Sequence, residues 1–101
     1  LAPLPMAVFP LVKNKPELVK KTKEVYTLLK AAFPFTFYDD QGSIGRRYAR
    51  MDEIGTPIAV TVDFDTLSDN TVTLRDRETT KQIRVLVDAL VMEIQRRKEH
   101  I

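Results

Sequence analysis

The segment Met6 to Val12, MAVFPLV, constrains this chain more than any other. It holds no charged or polar side chain, which fits a strand covered on both faces and not one with a wet side. A strand of that kind belongs inside a sheet, and parallel neighbours need a crossover connection, usually a helix. The rest of the chain must therefore supply crossing helices and flanking strands.

It does so in order. Asn14 can cap a following helix, Pro16 suits its first turn, and Glu17 places a negative charge where the helix dipole favours one. Leu18, Thr22, Val25, Leu29 and Ala32 then recur at helical spacing, with Lys20, Lys21, Lys23 and Lys30 on other faces. The helix is expected to end at Phe33, because Pro34 disfavours helical geometry before it. Phe35 to Tyr38 is β-prone, and Asp39-Asp40-Gln41-Gly42 is turn chemistry. Ser43 is a good N-cap for a second helix striped by Ile44, Tyr48, Met51 and Ile54, which Gly55 closes before Pro57. From Ile58 the period becomes two, with Val60, Val62 and Phe64 alternating against Ala59, Thr61, Asp63 and Asp65. Ser68-Asp69-Asn70 turns the chain into a strand carrying Val72 and Leu74. The polar link Glu78 to Lys81 leads to a short strand, Gln82 to Val85. Val87, Leu90, Val91 and Ile94 define a third helix ending in Arg96, Arg97 and Lys98, where a helix dipole favours cations.

The resulting order, β-α-β-α-β-β-β-α, predicts an α/β fold: a mixed five-stranded sheet with three helices in three layers, α/β/α. At 101 residues and 11.6 kDa the chain suits one domain, residues 1–101. It starts at Leu1 and not Met, so an excised piece of a longer protein is expected.

Composition removes several kinds of chemistry. With no cysteine, disulfide scaffolds and thiolate zinc sites are excluded. The single histidine, His100, sits near the end, which excludes histidine-based triads and HExxH metalloenzymes. No run of about 18 apolar residues exists, and Leu1 to Pro5 lacks the pattern of a signal peptide. The net charge of +2 hides a gradient: residues 1–34 hold six Lys against two Glu, whereas residues 58–76 hold Arg75 against Asp63, Asp65, Asp69 and Asp76. Localised basic charge of this kind belongs to a binding face.

Gly42-Ser43-Ile44-Gly45-Arg46-Arg47 follows a strand and opens a helix, a place where backbone N–H groups and guanidiniums can meet phosphate. It matches neither the Walker spacing nor GxGxxG, and its bare GxxG also suits an ordinary turn and cap. Asp63, Asp65 and Asp69 lack the DxDxDG loop and distal Glu of a calcium site, so no metal is expected. The pairs Asp39-Asp40 and Asp52-Glu53 read as caps and ion-pair partners of Arg46, Arg47 or Arg50 rather than as an acid and base, so no catalytic residue is expected. Arg75, Arg77 and Arg84 alternate with apolar residues on neighbouring strands, and with Lys13 and Asn14 they suit phosphate and base-edge contacts.

Longer strings are more specific. Val8 to Asn14 (VFPLVKN), Tyr38 to Pro57 (YDDQGSIGRRYARMDEIGTP), Val60 to Thr66 (VTVDFDT) and Thr71 to Arg77 (TVTLRDR) closely resemble the C-terminal anticodon-binding domain of the dimeric, class II glycyl-tRNA synthetases. The resemblance spans nearly the whole chain. It implies a noncatalytic domain that grips the tRNA(Gly) anticodon stem-loop, while an absent catalytic domain, using ATP and Mg, joins glycine to the tRNA. No cofactor is implied for the domain itself, and none of its partners is a membrane. The parent is expected to be a cytoplasmic homodimer. The residues expected to touch tRNA are Lys13 and Asn14 after the first strand, Ser43, Arg46, Arg47 and Arg50 at the second helix, and Arg75 and Arg77 on the fourth strand. Some of these can instead face the absent catalytic domain or form internal ion pairs with Asp63, Asp65 or Asp76. The alternative is an accessory module of the same fold that binds protein or duplex nucleic acid, against which GSIGRRYAR and VDFDT argue.

Overall fold

A computed structural model describes residues 5–77 and 81–98, with the Lys98 side chain excepted. The expectations made for Leu1, for the link at 78–80 and for His100 lie outside the described residues.

The apolar run forms β1, Met6–Pro10, buried at every position. It pairs in parallel with β2, Thr36–Tyr38, on one side and β3, Ile58–Val62, on the other, so that Val8 faces both Tyr38 and Val60. β4, Thr71–Asp76, pairs antiparallel with β3, and β5, Gln82–Leu86, antiparallel with β4, giving the order β2-β1-β3-β4-β5. The mixed sheet and its internal first strand agree with the sequence.

The alternation along the strands sorts two cores. Met6, Val8, Ile58, Val60, Val62, Val72 and Leu74 lie under α1, Pro16–Ala32, and α4, Val87–Lys98, where Leu18, Val25, Leu29, Leu90 and Ile94 are buried. Ala7, Phe9 and Ala59 face the other way, against Met51, Ile44 and Tyr48 of α2, Ile44–Ile54. Among the described residues α2 is the only helix in that second core, so Thr71, Thr73, Arg75, Gln82 and Arg84 remain partly or fully exposed beside it.

The described residues form four helices, not three. The alternating pattern read through Asp65 stops at Val62, and Phe64–Asp69 forms a short helix, α3. The cause is a capping box: Asp63 accepts from the Thr66 amide while the Thr66 hydroxyl accepts from the Asp63 amide. Asn70 ends α3 in the left-handed region, at φ 59°. A second difference concerns α1, whose N-cap is Lys15 and not Asn14. Proline occupies the first helical position, so the residue before it must be the cap, whatever its side chain. β5 also runs one residue past Val85, to Leu86.

Candidate functional site

The crossovers α1 and α2 leave the C-terminal ends of β1 and β2 on opposite faces of the sheet. In open α/β sheets such a divergence leaves a crevice at the strand ends, with backbone and loop side chains exposed toward it. Three segments leave the C-terminal ends of the parallel strands here: residues 11–15 after β1, residues 39–43 after β2, and Asp63 with Phe64 after β3.

Lys13 and Asn14 are exposed in the first segment, and their side chains bond to no described residue. Together with Pro16, Val19, Lys20 and Lys23 they line an open groove of about 880 Å³ that continues along the outer side of α1.

The second segment is internally fastened. The Gln41 amide donates to Asp39 Oδ1 at 2.9 Å, the Gln41 side chain to Asp40 at 3.0 Å, and the Tyr38 hydroxyl to Asp40 at 3.1 Å. Burial, followed by the charge and hydrogen bond of Asp40, pushes the Tyr38 phenol up to about 12. Gly42 turns the chain at φ 73°, a region L side chains rarely enter. Ser43 then caps α2, its Oγ accepting from the Arg46 amide at 3.3 Å. Ser43 is thus first a helix cap. Arg50 is committed to the same loop, at 3.2 Å from Asp39 and donating to the Gln41 carbonyl at 2.9 Å. Arg46 is exposed, and its guanidinium bonds to no described residue.

Arg47 is turned inward, against its sequence assignment as an RNA contact. It is 1% exposed, lies 5.4 Å over the Phe9 ring, and donates to the carbonyls of Pro10 and of Leu11, the latter at 3.1 Å. Burial lowers its pKa, and the nearby Asp39 and Asp40 act in the opposite direction. The reason is register: Arg47 lies three residues after Ile44 and four before Met51, on the face of α2 that meets the sheet. A guanidinium held there does not reach a ligand in solvent.

Arg75 and Arg77 lie toward the opposite end of the sheet. Arg75 pairs across from Ala59, about 10 Å along β3 from Val62 at ~3.3 Å per residue. Its guanidinium stacks 4.5 Å over Tyr48 and sits 3.9 Å from Asp52, while Tyr48 shares a 2.6 Å hydrogen bond with Thr61. Arg77 is exposed just beyond β4, its amide donating to the Pro57 carbonyl. The eight assigned residues therefore form no single cluster.

Arg84, noted in the strand pattern but left out of the assigned set, reaches toward the crevice. It forks onto both oxygens of Asp63 and bonds to Thr71 and Thr73. Asp63 joins that polar face to the start of α3, where Phe64 is 46% exposed. The alternation of Thr71, Thr73 and Arg84 with buried Val72, Leu74 and Val85 was the available signal. Among the described residues no group of acidic or histidine side chains could hold a metal ion, and no helix is long and apolar enough to cross a membrane.

An edge of exposed cations and amides beside a hydroxyl-lined sheet face suits a polyanion whose bases also need reading. Residues 6–97 match the family described as the anticodon binding domain. The chain belongs to that family. Similar proteins include the glycine–tRNA ligase of Aeropyrum pernix, 54% identical over 97 residues, which is 95% of this chain and 16% of that protein. The glycine–tRNA ligase of Rhodopirellula baltica is 53% identical over 97 residues, covering 96% of this chain and 18% of its own length. That of Corynebacterium efficiens is 56% identical over 90 residues, covering 89% and 19%. This anticodon-binding domain thus spans about a fifth or less of the ligases it matches.

Proposed function

We propose that the chain is a single domain of a glycine–tRNA ligase and grips the anticodon stem-loop of tRNA(Gly), while a catalytic domain elsewhere in the protein uses ATP and Mg to join glycine to that tRNA. The parent is a cytoplasmic homodimer, and this domain does no chemistry of its own. The observation that carries the reading is the set of exposed groups at the strand ends: the side chains of Lys13, Asn14 and Arg46 bond to no described residue, and Ser43 caps α2 beside Arg46. Lys13 and Arg46 meet phosphates, and Asn14 offers both a donor and an acceptor to an unstacked base. Arg50 acts through the 39–43 loop it fastens. Arg75 and Arg77 meet a more distant stretch of the RNA or the catalytic domain.

Binding of fluorescently labelled tRNA(Gly) stem-loops across a salt series tests this. Removing one cation from a phosphate should lower the salt slope by about 0.7–0.9, so Lys13→Ala and Arg46→Ala should each flatten it by roughly that amount. Anticodon substitutions should weaken binding at constant slope. Equal affinity for the cognate and an anticodon-substituted stem-loop would remove base reading from the proposal.

A further inference from the structure

We propose that Arg47 is a positioning residue that stands in for the missing continuation of β2 and so fixes the loop carrying Lys13 and Asn14. β2 is only three residues long and ends at Tyr38, opposite Val8, where the Asp39 amide makes the last bond to β1 through the Val8 carbonyl. The next amide positioned to continue that ladder, that of Gln41, turns away to the Asp39 side chain. On this side, the later carbonyls of β1 and its exit have no described strand beside them. Arg47 takes the place of one: its two Nη groups donate to the Pro10 and Leu11 carbonyls, while Phe9 supports the guanidinium from below.

Simple packing does not require a cation there. A buried charge is costly, and an apolar side chain of similar volume often replaces one without loss. Among the described residues no carboxylate forms an ion pair with Arg47, and its Nε has no hydrogen-bond partner. What an apolar residue cannot do is donate to two consecutive main-chain carbonyls. Those carbonyls lie just before Lys13 and Asn14, and Arg47 springs from the first turn after Ser43 and Arg46. One side chain thereby sets the spacing between the two segments that border the crevice. Arg47 touches no ligand itself.

The inference rests on the RNA-binding reading, and its test separates the two. In a double-mutant cycle on the 101-residue chain, Lys13→Ala is measured with Arg47 present and with Arg47→Met. Arg47→Met should weaken stem-loop binding by about tenfold, and Lys13→Ala should then cost much less than it does alone, because coupled sites are not additive. Arg47→Lys, which keeps the charge and one donor direction, should recover part of the affinity, and it carries the same cycle if Arg47→Met fails to fold. An equal cost of Lys13→Ala in both backgrounds overturns the proposal. Amide hydrogen exchange in the free protein provides a readout that needs no RNA: residues 11–15 should exchange faster in Arg47→Lys while the α1 core stays protected. If wild type ignores the anticodon, the RNA-binding reading fails but exchange still decides whether Arg47 holds the loop. Unchanged exchange there overturns the positioning role.

Discussion

Replacing Asp63 with alanine removes two supports at once. The carboxylate accepts from the Thr66 amide at 3.3 Å to cap α3, and it receives the Arg84 fork, with Nη2 at 3.1 Å from Oδ1. A side-chain N-cap is worth about 1 kcal/mol. The ion pair adds up to about 1 kcal/mol and no more, since the Arg84 side chain is 38% exposed and water screens it. Asp63→Ala should therefore cost about 2 kcal/mol at neutral pH, or roughly 8–16 °C in Tm for a domain of this size. Asp63→Asn keeps a capping oxygen but loses the charge and the second acceptor of the Arg84 fork, so about 1 kcal/mol should go. The two variants also differ in how acid affects them. Burial pushes the Asp63 carboxyl up, but the Arg84 hydrogen bonds and charge and the Thr66 bonds outweigh it and leave it below its ordinary value. A depressed folded value means that the contribution is complete above the unfolded carboxylate range, near 3.9, and is lost as pH falls toward the folded value. Thermal melts followed by circular dichroism should show the gap between wild type and Asp63→Asn shrinking from neutral pH to about pH 3. Equal Tm for the Asn and Ala variants, or a gap that holds or widens on acidification, would refute this division between cap and charge.

Other expected outcomes are simpler to state. Ultraviolet titration should find the Tyr38 phenol ionising near 12, and Asp40→Asn should bring it down. Because the folded phenol keeps its proton above the ordinary value, its contribution to stability should be intact below about pH 10 and fade above it. Ser43→Ala removes the cap on α2 and should lower stability by about 1 kcal/mol in urea denaturation, with the m-value unchanged. Leu29→Ala empties a fully buried site on α1, so a loss of about 2–5 kcal/mol is expected, and a much smaller one would mean that α1 rests loosely on the sheet.

The strands and the longer helices were legible because burial imposes period two or a helical stripe on any sequence that forms them. Ser43 and Gly55 bound α2 as read, through a side-chain acceptor at one end and a left-handed φ of 76° at the other. α3 was not seen, since Phe64 happens to continue the alternation of β3 and the capping pair Asp63 and Thr66 is too short a signal to outweigh it. Arg47 was misplaced for a different reason. The stripe Ile44, Tyr48, Met51 and Ile54 left it on another face of α2 and its charge argued for solvent, and only the ends of β1 and β2 in space show what a guanidinium does inside. Which arginines share an edge also depends on strand direction: β4 runs back along β3 and carries Arg75 away from the crevice, while β5 brings Arg84 toward it.

The strand order also governs how the chain assembles. β3, α3, β4, β5 and α4 are joined by short links, so their contacts close cheaply, whereas β1 must find β3 across half the chain, with Met6 opposite Ile58. Synthesis delivers the elements in the reverse order, N-terminus first. The most apolar strand is therefore made early and waits longest for the partner that covers it. We expect β1 to join late, so that substitutions at Val8 mainly speed unfolding and those at Leu74 slow folding in stopped-flow kinetics. During that wait the open edge of β3 and the bare β1 are the surfaces on which a nascent chain would meet chaperones or neighbours.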